Sequence, residues 1–161
     1  MTIVVRRQYR KCESSTSKRC VDQARHRWVQ KMLVQATFWH DPLNEDMYRK
    51  YSTFLSDINN ENTIKTEYIK RLQSLDNFVM IKFDNDTMVQ PVESEWFGFY
   101  KPGQSVDIET LQESSLYIDD RLGLQKMNDD SKLHFLSVDG NHLRFEWAWF
   151  EKNIIDPFLK K

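Results

Sequence analysis

Two polar side chains stand just after short apolar runs in the second half of the chain. Asp86 follows NFVMIKF (Asn77 to Phe83), and His142 follows KLHFLSV (Lys132 to Val138). Histidine titrates near neutral pH, so it can take a proton from a hydroxyl nucleophile and return it to a leaving group. A buried carboxylate fixes the tautomer of such an imidazole and stabilises its protonated form. Asp86 and His142 are therefore candidates for the acid and the base of a hydrolase triad.

The two apolar runs predict the strands that would position this pair. Both are short, almost continuously apolar and rich in β-forming residues, which is typical of strands covered on both faces in a parallel sheet. Functional groups of open α/β sheets gather at the carboxyl ends of the strands. In α/β hydrolases the order is Ser, then Asp or Glu, then His. Gly140 would let the loop before His142 turn tightly, and Asp84 competes with Asp86 but is expected to point elsewhere.

The other three histidines are weaker candidates for chemistry. His134 lies within the second apolar run and is expected to be a packed or surface residue. His40, next to Asp41, is expected to make a contact at the start of a helix, and His26 belongs to a basic helix. A metal site built from His40, Asp41 and His142 would have no local ligand spacing in its favour. We therefore predict neither a metal nor a cofactor.

Helices are predicted on both sides of the two strands. Apolar side chains on one face indicate helices at Val21–Ala36, Thr63–Leu75 and Arg144–Leu159, and signals typical of a helix start indicate another at His40–Asn59. Asp41 is the expected cap of the second helix, with Pro42 in its first turn. Helices together with buried strands predict a layered α/β domain. Two strands are too few for an independent sheet, so we expect part of this domain to be supplied from outside the 161 residues.

Charge and hydropathy argue against two classes of partner. The formal net charge of −1 gives no general attraction to nucleic acid or acidic membranes. Residues 1–31 are basic, and a solvated helix face explains them better than a nucleic-acid patch because aromatic side chains are sparse there. No apolar run approaches the roughly 20 residues of a membrane helix. The opening MTIVVRRQYRK carries charges where a signal peptide has its apolar stretch.

Two short sequence patterns concern covalent modification. Cys12 and Cys20 enclose a polar loop, CESSTSKRC, and their spacing allows either a disulfide or two free thiols. Asn85-Asp86-Thr87 is an N-x-[ST] glycosylation acceptor. If it is used, Asn85 must face solvent and the chain must pass through the secretory route.

Longer stretches carry a resemblance to a known family. They are LVQATFWHDPLNEDMYRKYSTFLSDINNE, FVMIKFDNDTMVQPVESEWFGFYKPGQ, LQESSLYIDDRLGLQKM and GNHLRF. In this order and spacing, from about Cys12 to Phe158, the chain resembles the palmitoyl-protein thioesterases of the lysosomal first type. The match corresponds to the C-terminal portion of that family, so residues 12–161 are expected to form the C-terminal part of its domain. Residues 1–11 do not resemble the family.

The resemblance implies an activity and a set of residue roles. It implies an α/β-hydrolase fold that cleaves the thioester between a long acyl chain and a protein cysteine during lysosomal breakdown. The catalytic acid of the family falls on Asp86 and its catalytic histidine on His142. Its glycosylated asparagine falls on Asn85, and its disulfide in this region on the two cysteines. Residues 21–75 match a helical insertion that helps form an acyl groove, and Met88 and Val89 match positions near that groove.

One departure from the family concerns the nucleophile. The family carries it in a G-x-S-x-G turn, but the glycines of this chain are Gly98, Gly103, Gly123 and Gly140, and none of them brackets a serine in that way. Ser14 and Ser15 lie in the cysteine loop rather than in a strand-to-helix turn. The sequence therefore leaves two hypotheses: a thioesterase whose serine lies outside these residues, or a chain that is catalytically inactive or only binds.

Overall fold

The computed structural model describes Met32 and residues 37–160 of the chain. The α-helices are α1 (Glu45–Tyr51), α2 (Leu55–Ile58), α3 (Thr66–Gln73), α4 (Ser115–Ile118), α5 (Leu124–Asp129) and α6 (Trp147–Phe150). The strands are β1 (Phe78–Phe83), β2 (Phe99–Tyr100), β3 (Ile108–Glu109) and β4 (Leu133–Val138). Short 3₁₀ helices cover Val92–Trp96 and Leu111–Glu113, and α6 continues as a π-helix over Glu151–Leu159. The helix predicted at Val21–Ala36 and the pair Cys12 and Cys20 lie outside the described residues.

The two predicted strands pair with each other in parallel, so the prediction of an α/β arrangement with a parallel sheet is confirmed. β1 and β4 align from Phe78 opposite Leu133 to Phe83 opposite Val138. In the part of the chain that the structure describes, this sheet has two strands, and each of them has one edge that no described strand pairs. The sequence predicted strands that are covered on both faces. In the structure, most side chains of both strands are only half-buried.

The helix predicted at His40–Asn59 is divided into two, and its predicted cap is wrong. α1 begins at Glu45, and its cap is Asn44, whose side chain accepts a hydrogen bond from the Met47 N–H. Asp41 instead accepts from the Leu43 N–H at 3.1 Å, one turn earlier. The helix stops at Ser52, whose side-chain oxygen accepts from the N–H at the second position of α2. Serine thus gives the backbone an alternative to continuing the helix.

The other predicted helices are present with shorter bounds. α3 covers Thr66–Gln73 within the predicted Thr63–Leu75. The closing helix begins at Trp147 rather than Arg144, because Glu146 has an extended backbone and is the N-cap of the helix. Its second half is π-helical and contains Pro157, which has no N–H to donate to a regular helical ladder. None of the described helices is long and apolar enough to cross a membrane.

The core joins the sheet to the helices that lie between its two strands in sequence. Its buried members are Met80, Leu111, Tyr117, Leu122, Leu124, Met127 and Leu133. Gly123 begins α5 with φ of 75°, a conformation that glycine adopts at little cost. This packing supports the face of the sheet and leaves the loops after β1 and β4 at one end of the molecule.

A tryptophan from the segment between the two strands in sequence forms hydrogen bonds with both β1 and β4. Trp96 ends the 3₁₀ helix Val92–Trp96, and its indole N–H lies 3.2 Å from the Met80 carbonyl and 3.1 Å from the Leu136 carbonyl. One donor therefore bridges β1 and β4. The same short helix carries Glu95, whose side-chain oxygen Oε2 accepts a 2.6 Å hydrogen bond from the N–H of Phe83, the last residue of β1.

Candidate acid–base site

The candidate site is built where the two parallel strands end. Backbone hydrogen bonding between the two segments continues beyond β1 and β4, because Asp84 N–H donates to the Val138 carbonyl and Asn85 N–H donates to the Gly140 carbonyl. The distances are 2.9 and 3.1 Å. The two loops therefore leave the sheet side by side, as expected at the carboxyl ends of adjacent parallel strands.

Asp86 and His142 meet across these loops. The Nδ1 atom of His142 lies 2.6 Å from Oδ2 of Asp86, a short hydrogen bond. The Asp86 side chain is fully buried, whereas 17% of the His142 side chain remains exposed. With Nδ1 facing the carboxylate, Nε2 is the ring atom on the opposite edge of the imidazole. The arrangement fixes one tautomer and leaves a second nitrogen for proton transfer.

The backbone stabilises the ionised form of Asp86. Its Oδ1 accepts hydrogen bonds from the N–H groups of Met88 and Val89, at 2.5 and 3.0 Å. Burial raises the pKa of the Asp86 carboxyl, but the hydrogen bonds from His142 and from these two amides lower it more, so the net shift is below the ordinary value. Asp86 is therefore a carboxylate under all but strongly acidic conditions.

A second buried carboxyl lies beside this pair and was missed by the sequence analysis. Glu95 is 4% exposed, and Asp86, Glu95 and His142 each bring one ligand-type atom within 4.8 Å of the others. The pKa of Glu95 is raised to about 7, mainly by burial and in part by the adjacent Asp86. Three such side chains can hold a metal ion or share protons. The 2.6 Å distance between Asp86 and His142 is that of a hydrogen bond, which favours proton sharing. Only three-dimensional proximity reveals Glu95, because it belongs to neither strand end.

Asn141 joins the two loops and was also missed. Its Oδ1 accepts hydrogen bonds from the Thr87 N–H and the Thr87 hydroxyl, both at 3.2 Å, and from the His142 N–H at 2.6 Å. One amide oxygen therefore links the residue after Asp86 to the backbone of His142. Its position directly before the candidate histidine, in a loop, was the signal that could have identified it.

We expect Asn141→Ala to destabilise the protein, because three donors lose their shared acceptor. The expected cost is about 1–2 kcal/mol in the free energy of unfolding, measured by urea titration. Hydrogen exchange of the Thr87 and His142 amides should become faster. Asn141→Asp keeps an acceptor oxygen in place and should retain most of the stability. Equal stability of the alanine variant and the parent would contradict this role.

The other candidate residues from the sequence analysis, Asp84, His134 and His40, have their own contacts. Asp84 pairs with Lys82 at 3.1 Å. His134 Nε2 lies 2.8 Å from the Asn77 side chain, at the opposite end of the sheet from Asp86. His40 contacts Glu45 at 2.8 Å, at the start of α1. It is far from His142 in sequence, and the cluster of possible ligands around His142 consists of other residues.

Three further residues from the sequence analysis lie next to Asp86. Asn85 is exposed, and its side-chain amide donates to Asp139 at 2.6 Å. Met88 is half-buried and Val89 is 2% exposed. Met88 and Val89 contribute to the site through their backbone N–H groups, which donate hydrogen bonds to Asp86.

The fold and the site define an α/β protein that carries a carboxylate–imidazole pair at adjacent strand ends. The sequence matches the family model of palmitoyl protein thioesterases over residues 4–142. The chain belongs to the palmitoyl protein thioesterase family. This confirms the resemblance noted from the sequence.

Curated relatives agree with this assignment. Over 132 residues the chain is 45% identical to palmitoyl-protein thioesterase 1 of Caenorhabditis elegans, which covers 82% of this chain and 44% of that protein. It is 37% identical over 115 residues to palmitoyl-protein thioesterase 3 of Dictyostelium discoideum, covering 71% and 40% of the two chains. It is 31% identical over 129 residues to the lysosomal thioesterase PPT2 homolog of Drosophila melanogaster, covering 76% and 43%. The chain thus spans less than half the length of these relatives.

Proposed function

We propose that this protein acts as a thioester hydrolase that removes long-chain acyl groups from protein cysteines, with Asp86 as the acid and His142 as the base. The observation that carries the proposal is the 2.6 Å contact between a fully buried carboxylate and a partly exposed imidazole at adjacent strand ends. Membership of the palmitoyl protein thioesterase family supports the thioester as the bond that is cleaved.

The chemistry follows from the orientation of the imidazole. Nε2 of His142 takes the proton of a serine hydroxyl as the serine oxygen attacks the thioester carbonyl, and Asp86 stabilises the imidazolium that forms. His142 then returns the proton to the cysteine sulfur as the carbon–sulfur bond breaks. Water attacks the acyl-serine by the same route, with His142 again taking and returning one proton. The acyl chain leaves as a fatty acid.

The serine itself must come from outside the 161 residues in this proposal. They contain no G-x-S-x-G turn, the motif that presents the nucleophile in α/β hydrolases. We propose that a longer form supplies this turn together with strands that pair with the edges of β1 and β4 that no described strand pairs. Residues 12–161 would then form the C-terminal part of an α/β-hydrolase domain, with residues 21–75 as its helical insertion.

An acyl chain needs a long apolar track, because each buried methylene contributes about 0.8 kcal/mol. We propose that Met88 and Val89 lie close to this track, since their backbone amides hold Asp86. A separate apolar cavity lies between α3, the beginning of β1 and the closing helix. It is at the opposite end of β1, roughly 17 Å from Phe83 by the rise of a strand.

The proposal includes a compartment and two covalent features. Drosophila and Xenopus relatives are named lysosomal thioesterases, which supports the lysosome or secretory route for this protein. Such a location permits glycosylation of Asn85, whose side chain is exposed. It also permits a disulfide between Cys12 and Cys20.

The second hypothesis is that residues 1–161 alone are inactive or only bind an acylated partner. The absence of G-x-S-x-G within them favours this for the chain taken by itself. The two hypotheses make different predictions, because the first requires an added nucleophile to restore turnover.

A chimera tests the proposal. It joins the segment of the Caenorhabditis elegans relative that lies upstream of the matched region to this chain. We expect the chimera to release palmitate from an S-palmitoylated peptide, and residues 1–161 alone to release none. The relative serves as the positive control. A folded but inactive chimera would support the non-catalytic hypothesis, whereas turnover by residues 1–161 alone would contradict an external nucleophile.

A further inference from the structure

The third member of the site, Glu95, has a different set of contacts from Asp86. Asp86 accepts three hydrogen bonds, from His142 Nδ1 and from the Met88 and Val89 amides. For Glu95, the structure gives one N–H donor, the amide of Phe83 at 2.6 Å. An oxygen of Glu95 and an oxygen of Asp86 lie within 4.8 Å of each other, and a hydrogen bond between two carboxyls requires a proton on one of them.

The distribution of donors decides which carboxyl carries that proton. Two carboxyls that share a buried site do not both ionise readily. The negative charge is better stabilised on Asp86, which accepts more N–H groups and faces the imidazole. The proton therefore remains on Glu95 and is donated toward Asp86.

We propose that Glu95 is a positioning residue: in its neutral form it donates a hydrogen bond that holds the Asp86 carboxylate in line with His142, and it gives up this contact on ionising. This inference deepens the proposed function and rests on it for the role of the Asp86–His142 pair. The position of Glu95 suits the task, because the Phe83 amide anchors one of its oxygens to the end of β1. Trp96, the next residue, anchors the same short helix to both strands.

Few charged groups face Glu95 from the elements packed against it. Asp86, after β1, disfavours its ionisation, and His142, after β4, favours it. Lys82, the basic residue within β1, pairs with Asp84 and lies over the Trp96 ring. Burial and Asp86 prevail, so the pKa of Glu95 is raised to about 7. The contact should therefore be present in acidic solution and be lost as the pH rises through neutrality.

Glu95→Gln provides a sharp comparison. The amide has the shape of the neutral acid, with a carbonyl for the Phe83 N–H and an N–H donor for Asp86, but it cannot ionise. The test uses residues 1–161 labelled with ¹³C at glutamate carboxyls and with ¹⁵N at histidine. In the parent, one glutamate carboxyl should titrate near pH 7 and the His142 ring signals should change with it. In Glu95→Gln, that carboxyl signal should be absent and the accompanying change in His142 should disappear.

Asp86→Asn is the second variant and does not depend on the first one folding. It removes the neighbouring negative charge, so the titration midpoint of the Glu95 carboxyl should fall toward the ordinary range. A parent in which no glutamate titrates near neutral pH would overturn the inference. So would a Glu95→Gln protein whose His142 signals change with pH as the parent's do, or an Asp86→Asn protein with an unmoved Glu95 midpoint.

The unfolding free energy supplies an independent readout. Glu95 has its pKa raised in the folded state, so the folded state holds its proton above the ordinary carboxyl range and the unfolded state does not. Its contribution to stability is thus present in acid and lost as the pH rises toward 7. The parent should lose more stability than Glu95→Gln between pH 5 and pH 8. These measurements require no substrate, so a chimera without thioesterase activity would contradict the proposed function and leave the inference standing.

Discussion

His142→Ala in the chimera is expected to lower kcat for thioester hydrolysis by about 10⁴- to 10⁶-fold. Without the imidazole, the base that takes the serine proton in this proposal is lost, and a serine hydroxyl is nearly inert at neutral pH. The loss should appear in kcat rather than in KM, because His142 acts on the reacting atoms and not on the acyl chain. Palmitate release from an S-palmitoylated peptide, followed over a range of peptide concentrations up to saturation, measures both constants.

The control for this substitution is His134→Ala. His134 contacts Asn77 at the far end of the sheet, so its removal should leave kcat within a few-fold of the parent. Asp86→Asn provides a second arm, with an expected loss of about 10⁴-fold because the amide favours the wrong imidazole tautomer. Activity of His142→Ala within tenfold of the chimera would reject the base assigned here.

The sequence predicted the parts of this site that lie on periodic elements. Short apolar runs located β1 and β4 to within one residue, and parallel strands necessarily bring their carboxyl ends to one edge. The contact between Asp86 and His142 follows from that topology. Neither Glu95 nor Asn141 could be found in this way, because each acts through a contact that depends on how irregular chain folds back onto the sheet.

The prediction for the helical part was less complete for a related reason. The start signals at Asp41 and Pro42 led to the prediction of one helix over residues 40–59. The break comes from a serine side chain that bonds to the backbone of the next turn, and such local competition leaves no periodic trace. The cap was assigned to Asp41 because aspartate and Pro42 are typical of a helix start, but Asn44 is closer to the first regular turn.

Among substitutions at the site other than those of Asp86 and His142, we expect Gly140→Ala to cause the largest combined loss of stability and activity. A Cβ at this position would lie 2.3 Å from the carbonyl oxygen of Arg144, a backbone atom that cannot move without displacing the loop. The requirement for glycine here is thus a close approach rather than an unusual φ. Overpacking of this kind typically costs about 1–3 kcal/mol, and a chemical-denaturation curve of residues 1–161 measures it.

The same substitution should reach the chemistry, because Gly140 also accepts the hydrogen bond from Asn85 that aligns the two loops. Displacing this loop moves His142 relative to Asp86, and a shift of about 1 Å can cost roughly 10²-fold in rate. Gly103→Ala is the matched control: its Cβ would contact nothing within 4 Å, and its φ of 82° makes the change unfavourable only through the backbone. It should lower stability by about 1–2 kcal/mol without altering kcat. If Gly140→Ala keeps kcat within threefold of the chimera, the tight loop does not position the His142 imidazole relative to the Asp86 carboxylate.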